Sequence, residues 1–137
     1  MALPDYAGDV AAALATAGVG TVGTGIFIGP TRAPATGLPA VAVFVLPTGA
    51  GPPVAPYLGT STDWHEVALQ ILVRSAANSY AAGRTKAAAC RTALHRLALG
   101  ASYTLCMVRE TEALYLGRNE LGHHEFAINV RVGFDAA

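Results

Sequence analysis

Apolar and polar positions alternate most clearly between Trp64 and Arg74. Val67, Leu69, Ile71 and Val73 fall on one side and Glu66, Ala68, Gln70, Leu72 and Arg74 on the other, the two-residue period of a strand with one buried face. Glu125 to Phe134 repeats the pattern, with Phe126, Ile128, Val130, Val132 and Phe134 set against Glu125, Ala127, Asn129 and Arg131. Ala40 to Leu46 is an apolar, β-branched run of strand length; Thr24 to Ile28 and Tyr103 to Arg109 read as further strands, and Leu114 to Leu116 as a short one. Two segments have helical spacing instead. Asp5 stands where a cap belongs before Tyr6, Val10, Leu14 and Ala17, with Gly18 and Gly20 as the stop. Asn78 is placed to cap a second helix, in which Tyr80, Gly83, Ala87, Cys90, Leu94 and Leu97 form a buried stripe and Gly100 the stop. Arg32 to Pro39, the Pro/Gly-rich segment Pro47 to Thr62, and Gly117 to Gly122 read as loops or turns. This order predicts an α+β domain: a mainly antiparallel sheet of four to five strands with two helices packed on one face.

Charge sharpens this picture. Between Val10 and Thr62 the chain carries a single charged residue, Arg32. Pro34, Pro39, Pro47, Pro52, Pro53 and Pro56, with nine glycines, break that stretch, so no helix of the roughly 20 residues a bilayer demands runs through it. The stretch must be satisfied by protein, in its own core or in a neighbouring subunit. A length of 137 residues predicts one domain, 1–137. Formal net charge is zero, which supplies no electrostatic footprint for nucleic acid or an anionic membrane. Charged residues make up 13% of the chain, about half the usual share, and a surface so short of charge favours self-association. Cys90 and Cys106 are too few for a disulfide framework and read as buried thiols. Asp5 and Asp9 stand where a secretory signal would be basic, so synthesis in the cytoplasm is expected.

Candidate chemistry is sparse. Gly18-Val-Gly20-Thr-Val-Gly23 has the G-x-G-x-x-G spelling. A helix is expected before it and a strand after it, the reverse of the order that brings phosphates to a helix N-terminus. His65, His95, His123 and His124 lack metal-ligand spacing. No Gly-x-Ser-x-Gly elbow is present. Glu110 and Glu112 read as an exposed acidic turn, and Arg84, Arg91 and His95 as a basic stripe on the second helix, solvated or bridging at a subunit contact. These readings predict a non-enzyme with no cofactor or metal.

An ordered series of segments from Ala40 to Val132 carries a resemblance. It runs from Ala-Val-Ala-Val-Phe-Val through a Gly/Pro-rich loop to Glu66-Val-Ala-Leu-Gln70-Ile-Leu-Val-Arg74, then a helix opening on Tyr80-Ala-Ala. Leu116-Gly-Arg-Asn-Glu120-x-Gly leads into Glu125-Phe-Ala-Ile-Asn129 at its end. In this order the chain resembles the tail terminator (minor capsid or tail-completion) proteins of long-tailed bacteriophages. Its low charge and His123-His124 pair depart from the pattern. The resemblance implies a homo-oligomeric ring, a hexamer, that caps the tail tube, ends its polymerisation and joins the tail to the head connector. It also implies a place in the virion tail or neck after assembly in the host cytoplasm. A head-to-tail ring uses two different patches per subunit; the expectation is that the sheet edge or second helix of one subunit meets the N-terminal half of the next. Arg84, Arg91 and His95 are the candidate polar contacts. Pro47, Gly49, Gly51, Pro52, Pro53 and Tyr57 are the candidates for docking on the tube or neck. The alternatives are a neck or head-completion protein and, from a different class, a small-molecule-binding α+β domain using His123, His124 and Glu125. A nucleic-acid-binding module is disfavoured by the balanced charge.

Overall fold

Two long strands carry the sheet. In a computed structural model that describes residues 5–23, 25–28, 42–47, 55–56, 63–95, 99, 103, 105–118, 120 and 122–136, β4 (Asp63–Ala77) and β7 (His123–Ala136) pair antiparallel from Asp63↔Ala136 to Ala77↔His123. The register sets Val67, Leu69, Ile71 and Val73 opposite Val132, Val130, Ile128 and Phe126, so the apolar halves of both alternating patterns share one face.

The remaining elements are α1 (Tyr6–Thr16), β1 (Ile26–Ile28), β2 (Ala42–Pro47), β3 (Ala55–Pro56), α2 (Tyr80–Leu94), β5 (Leu105–Val108) and β6 (Leu114–Arg118). The four to five strands expected become seven segments among the described residues. β2 and β3 lie end to end along one side of β4, and β5 and β6 end to end along the free side of β7. All pairs are antiparallel except β1 with β2. α1 packs on β1 and β2, and α2 on β4, β7 and β5. Both helices share one core with the sheet, centred on Leu14, Ile26, Val45, Ile71, Leu94, Ile128 and Phe134. On the opposite face Phe27 and Phe44 stack at 5.4 Å, with Leu46 and Leu72 against them. The ion pairs Arg74–Glu125 and Glu66–Arg131, each 3.3 Å, cross the sheet.

The Asp5 carboxylate accepts from the Gly8 N–H at 3.2 Å, as a cap should. The helix ends when Gly18 takes φ +84. The Gly18 N–H then donates to Ala15 O at 3.0 Å and the Val19 N–H to Leu14 O at 3.1 Å, the paired closure of a Schellman motif. α2, at 15 residues, is marginal alone in water and is held by burial of Gly83, Ala87, Cys90 and Leu94.

Local details differ from the sequence expectations. Asn78 is not the cap of α2. It sits in the left-handed region at φ +59, its N–H donating to Gly122 O at 2.9 Å, and Ser79 precedes the helix without a side-chain capping bond. Asparagine tolerates that conformation, so the residue turns the chain between β4 and α2. The helix stops at Leu94, where His95 goes extended at ψ 121, earlier than Gly100; Leu97 and Gly100 lie outside the described residues. Gly117 is not in a turn but in β6, where a bulge falls between Tyr115 and Gly117. Within the expected loop 47–62, Pro47 closes β2 and Ala55–Pro56 forms a strand on β4. Arg32 to Pro39 and the rest of 47–62 lie outside the described residues. No helix among the described residues is long and apolar enough to cross a membrane.

Candidate assembly surface

β6 and the outer side of α2 form one continuous surface. Tyr115 pairs with Phe126 and Gly117 with Glu125, leaving Leu116 opposite no β7 residue. Gly117 takes φ +108 to complete this bulge. The result is a ridge of three consecutive large apolar residues, Leu114 (46% exposed), Tyr115 (49%) and Leu116 (55%). Among the described residues no strand pairs with the outer side of β6, and an apolar edge strand of this kind is what soluble proteins ordinarily guard against.

An aromatic cluster roots the ridge. Tyr115 lies 5.3 Å from Phe126 and 5.3 Å edge-on from Tyr80, and its hydroxyl is 2.7 Å from His124 Nδ1. Phe126 is buried, whereas Tyr80 is 44% exposed, so the cluster runs from core to surface through adjoining rings.

The turn leading into β6 is held from two sides. Glu110 accepts the Asn129 backbone N–H at 3.2 Å and its side-chain amide at 2.8 Å, while the Arg109 N–H donates to Asn129 O at 2.9 Å. Arg91 Nε donates to Glu110 O at 3.1 Å. Arg84 pairs with Glu112 at 3.0 Å, with both side chains mostly exposed, a geometry that contributes about 0.2–1 kcal/mol at most. Between α2 and this turn runs a groove of about 700 Å³, lined by Arg84, Ala88, Arg91, Glu112 and Tyr115 among others. On the other side of α2 a second groove of about 520 Å³ lies against Ala17–Val19, floored by Ala81, Ala82, Thr85 and Ala89 with Lys86 at its rim. Lys86 Nζ donates to Val19 O at 2.7 Å.

Of the candidate contact residues, Arg84 and Arg91 are brought together on this surface, and both engage the 110–112 turn. His95 is exposed at the end of α2. Pro47 lies elsewhere, paired with Leu69. Gly49, Gly51, Pro52, Pro53 and Tyr57 lie outside the described residues. Glu110 is not part of an exposed acidic turn but a partly buried clamp on Asn129. The ridge itself escaped sequence reading. Its signal was Leu-Tyr-Leu with no polar residue between, where a half-buried strand should alternate.

Elsewhere the chemistry is structural. The Gly18–Gly23 segment follows α1 and precedes β1, so no helix begins there to receive phosphates. His123 Nδ1 is 2.7 Å from Ser75 O while His124 turns to Tyr115, so the adjacent imidazoles serve different partners. Among the described residues no three His, Cys, Asp or Glu side chains converge on a metal site. Cys90 and Cys106 are buried and form no disulfide, and the Cys106 thiol donates to Leu94 O at 3.3 Å. Burial, slightly offset by Lys86, pushes the Cys90 thiol up to about 12. Tyr103 donates its hydroxyl to the Asp9 carboxylate, tying α1 to the segment before β5. Burial first, and that bond second, raise its pKa.

A comparison with curated proteins gives no match. A family model described as "Bacteriophage tail terminator protein" matches residues 13–135, most of the chain. The match takes in the end of α1 from residue 13, all of α2 and every strand of the sheet. The chain belongs to the bacteriophage tail terminator family.

Proposed function

We propose that the protein assembles with copies of itself into a ring, a hexamer, that caps the phage tail tube, ends its polymerisation and joins the tail to the head connector. Assembly takes place in the host cytoplasm and leaves the protein in the tail or neck of the virion. The observation that carries this reading is the ridge Leu114–Tyr115–Leu116. An apolar edge about half exposed in the single chain is stable in solution only when something covers it. The family supplies the structural role in the tail, and a chain with charge on only 13% of its residues is suited to life inside an assembly. Contact with the tube falls to the segment from Pro47 to Thr62 in this reading, and Arg84, Arg91 and His95 line the contact between copies.

Sedimentation of the pure protein, with negative-stain imaging, tests the ring. A discrete closed species is expected, alone or on added tail tubes. A monomer at every concentration, with and without tubes, refutes it. Removing the protein from an infecting phage is expected to give overlong, headless tails, and normal tail length would refute the capping role. Deleting residues 49–53 should leave rings intact and abolish capping; unchanged tail length would refute the role given to that segment.

A further inference from the structure

The ring reading leaves open which surfaces meet, and two unlike surfaces flank α2. On one side stands the ridge of β6. With Tyr80 it exposes on the order of 400 Å² of apolar side chain, a large patch for a single domain. A standard interface takes about 800 Å² from each partner, a little over half of it apolar. The ridge therefore supplies most of the apolar area that one side of such a contact needs. On the other side of α2 lies the groove of about 520 Å³ whose floor is made of Ala81, Ala82, Thr85 and Ala89. Side chains that short leave room for large ones from outside.

Charge is basic along α2 and mixed beside the ridge. The charged residues of α2 are Arg84, Lys86 and Arg91, all basic. The ridge is bracketed by Glu112 and Glu120, with Arg118 at the end of β6 between the ridge and Glu120, all exposed. Arg84 is already paired with Glu112 within the chain. Lys86, at the groove rim, spends one donor on Val19 O and an ammonium has three.

We propose that the β6 ridge of one copy seats in the alanine-floored groove between α2 and Ala17–Val19 of the next, with Glu120 reaching Lys86 across the contact. This rests on the ring reading of the preceding subsection. The occupant is a second copy because the same chain carries both the apolar ridge, with most of the area one side of a contact needs, and the open groove, with Glu120 beside the one and Lys86 beside the other. Two unlike patches per subunit make the contact head-to-tail, the type that closes a ring or runs on as a filament. Edge-to-edge pairing of two β6 strands would instead make an isolated two-fold dimer.

Cysteine crosslinking tests it, since both native thiols are buried. The oligomeric state of the unmodified protein is established first by sedimentation. Leu116→Cys and Ala82→Cys are then made singly and together, with circular dichroism to check each fold. On mild oxidation the double variant should give a reducible ladder ending at the ring, the mixed single variants dimers only, and each single variant alone none. Ladders absent from a protein that still forms rings overturn the seating and leave the ring reading standing. Disulfide dimers from Leu116→Cys alone show edge-to-edge pairing and also overturn it. A strictly monomeric parent overturns both. Leu116→Glu gives a second readout: the concentration for half-assembly should rise at least tenfold with the monomer fold intact, and an unchanged value counts against the ridge.

Discussion

Gly83→Ala should destabilise this protein, although replacing glycine by alanine inside a helix ordinarily stabilises it by about 1 kcal/mol. The reason is the distance between α2 and the sheet. A Cβ at residue 83 would stand 2.8 Å from Ser75 Cβ and 2.9 Å from Phe126 Cε2, well inside the roughly 3.5–4.0 Å of an ordinary carbon contact. Neither neighbour retreats cheaply. Ser75 is 2% exposed, its Cβ is fixed to β4, and its hydroxyl donates to Ala76 O at 2.8 Å and accepts from the His124 N–H at 3.0 Å. Phe126 is also 2% exposed and is wedged against Tyr80 and Tyr115. Overpacking of this kind costs about 1–3 kcal/mol. Set against the propensity gain, the net loss is about 1 kcal/mol, with the sign reversed from the usual case. Ala88→Gly on the exposed side of α2 calibrates the propensity term, since it changes the backbone preference by about 1 kcal/mol and touches no core. Equilibrium urea unfolding followed by circular dichroism is the assay, run at low protein concentration so that association does not add to the apparent stability. A midpoint for Gly83→Ala above that of the unmodified protein, with an unchanged slope, would refute the close approach of α2 to β4 and β7. The near-ultraviolet spectrum should change as well, because displacement of Phe126 disturbs the tyrosines that support the ridge.

Three further outcomes follow from local geometry. Gly18→Ala should cost about 1–2 kcal/mol, because its φ of +84 is left-handed while open space surrounds the new methyl; a loss under about 0.3 kcal/mol in urea unfolding would show that the helix end relaxes. Glu110→Ala should cost about 2 kcal/mol by stranding the two Asn129 donors it accepts, and hydrogen exchange at the Asn129 amide should accelerate; unchanged exchange would refute the clamp. The Cys90 thiol is raised in the folded state from its ordinary 9.0 to about 12, so the unfolded chain loses this proton first. Its contribution is intact below about pH 9 and declines as pH rises toward 12, by about 1.4 kcal/mol per unit. Cys90→Ala should flatten the stability–pH curve in that window, and an unaltered slope would refute burial of the thiol.

The long strands were readable because their two-residue period continues through the Trp64–Arg74 and Glu125–Phe134 segments, and one buried face fixes their register. The helix faces were readable in part for the same reason at a different period: Val10, Leu14, Gly83, Ala87, Cys90 and Leu94 are buried as their spacing predicts, whereas Ala17 and Tyr80, at the helix ends, are exposed. What the pattern could not supply depends on partners distant in the chain. Asn78 looked like a cap because capping residues and left-handed turn residues overlap in type; which role it takes is decided by Gly122, across the sheet. Glu110 looked solvated because its partner, Asn129, is brought beside it only by pairing of β5 with β7. The end of α2 at Leu94 had no glycine to mark it. The apolar ridge shows the same limit: Leu114 to Leu116 has the composition of buried strand, and it is the edge position of β6 together with the bulge at Leu116 that leaves those residues exposed.

Because β7 holds β4 on one side and both β5 and β6 on the other, the sheet has no stable interior without it, and among the described strands it comes last in chain order. Residues some seventy positions apart, such as His65 and Phe134, meet across the ladder it forms with β4. Non-local pairing of this kind slows folding and keeps a nascent chain open on the ribosome until β7 has left the exit tunnel. The β6 edge acquires its shape only then, so the chain order of the strands keeps the apolar ridge from forming before the sheet behind it.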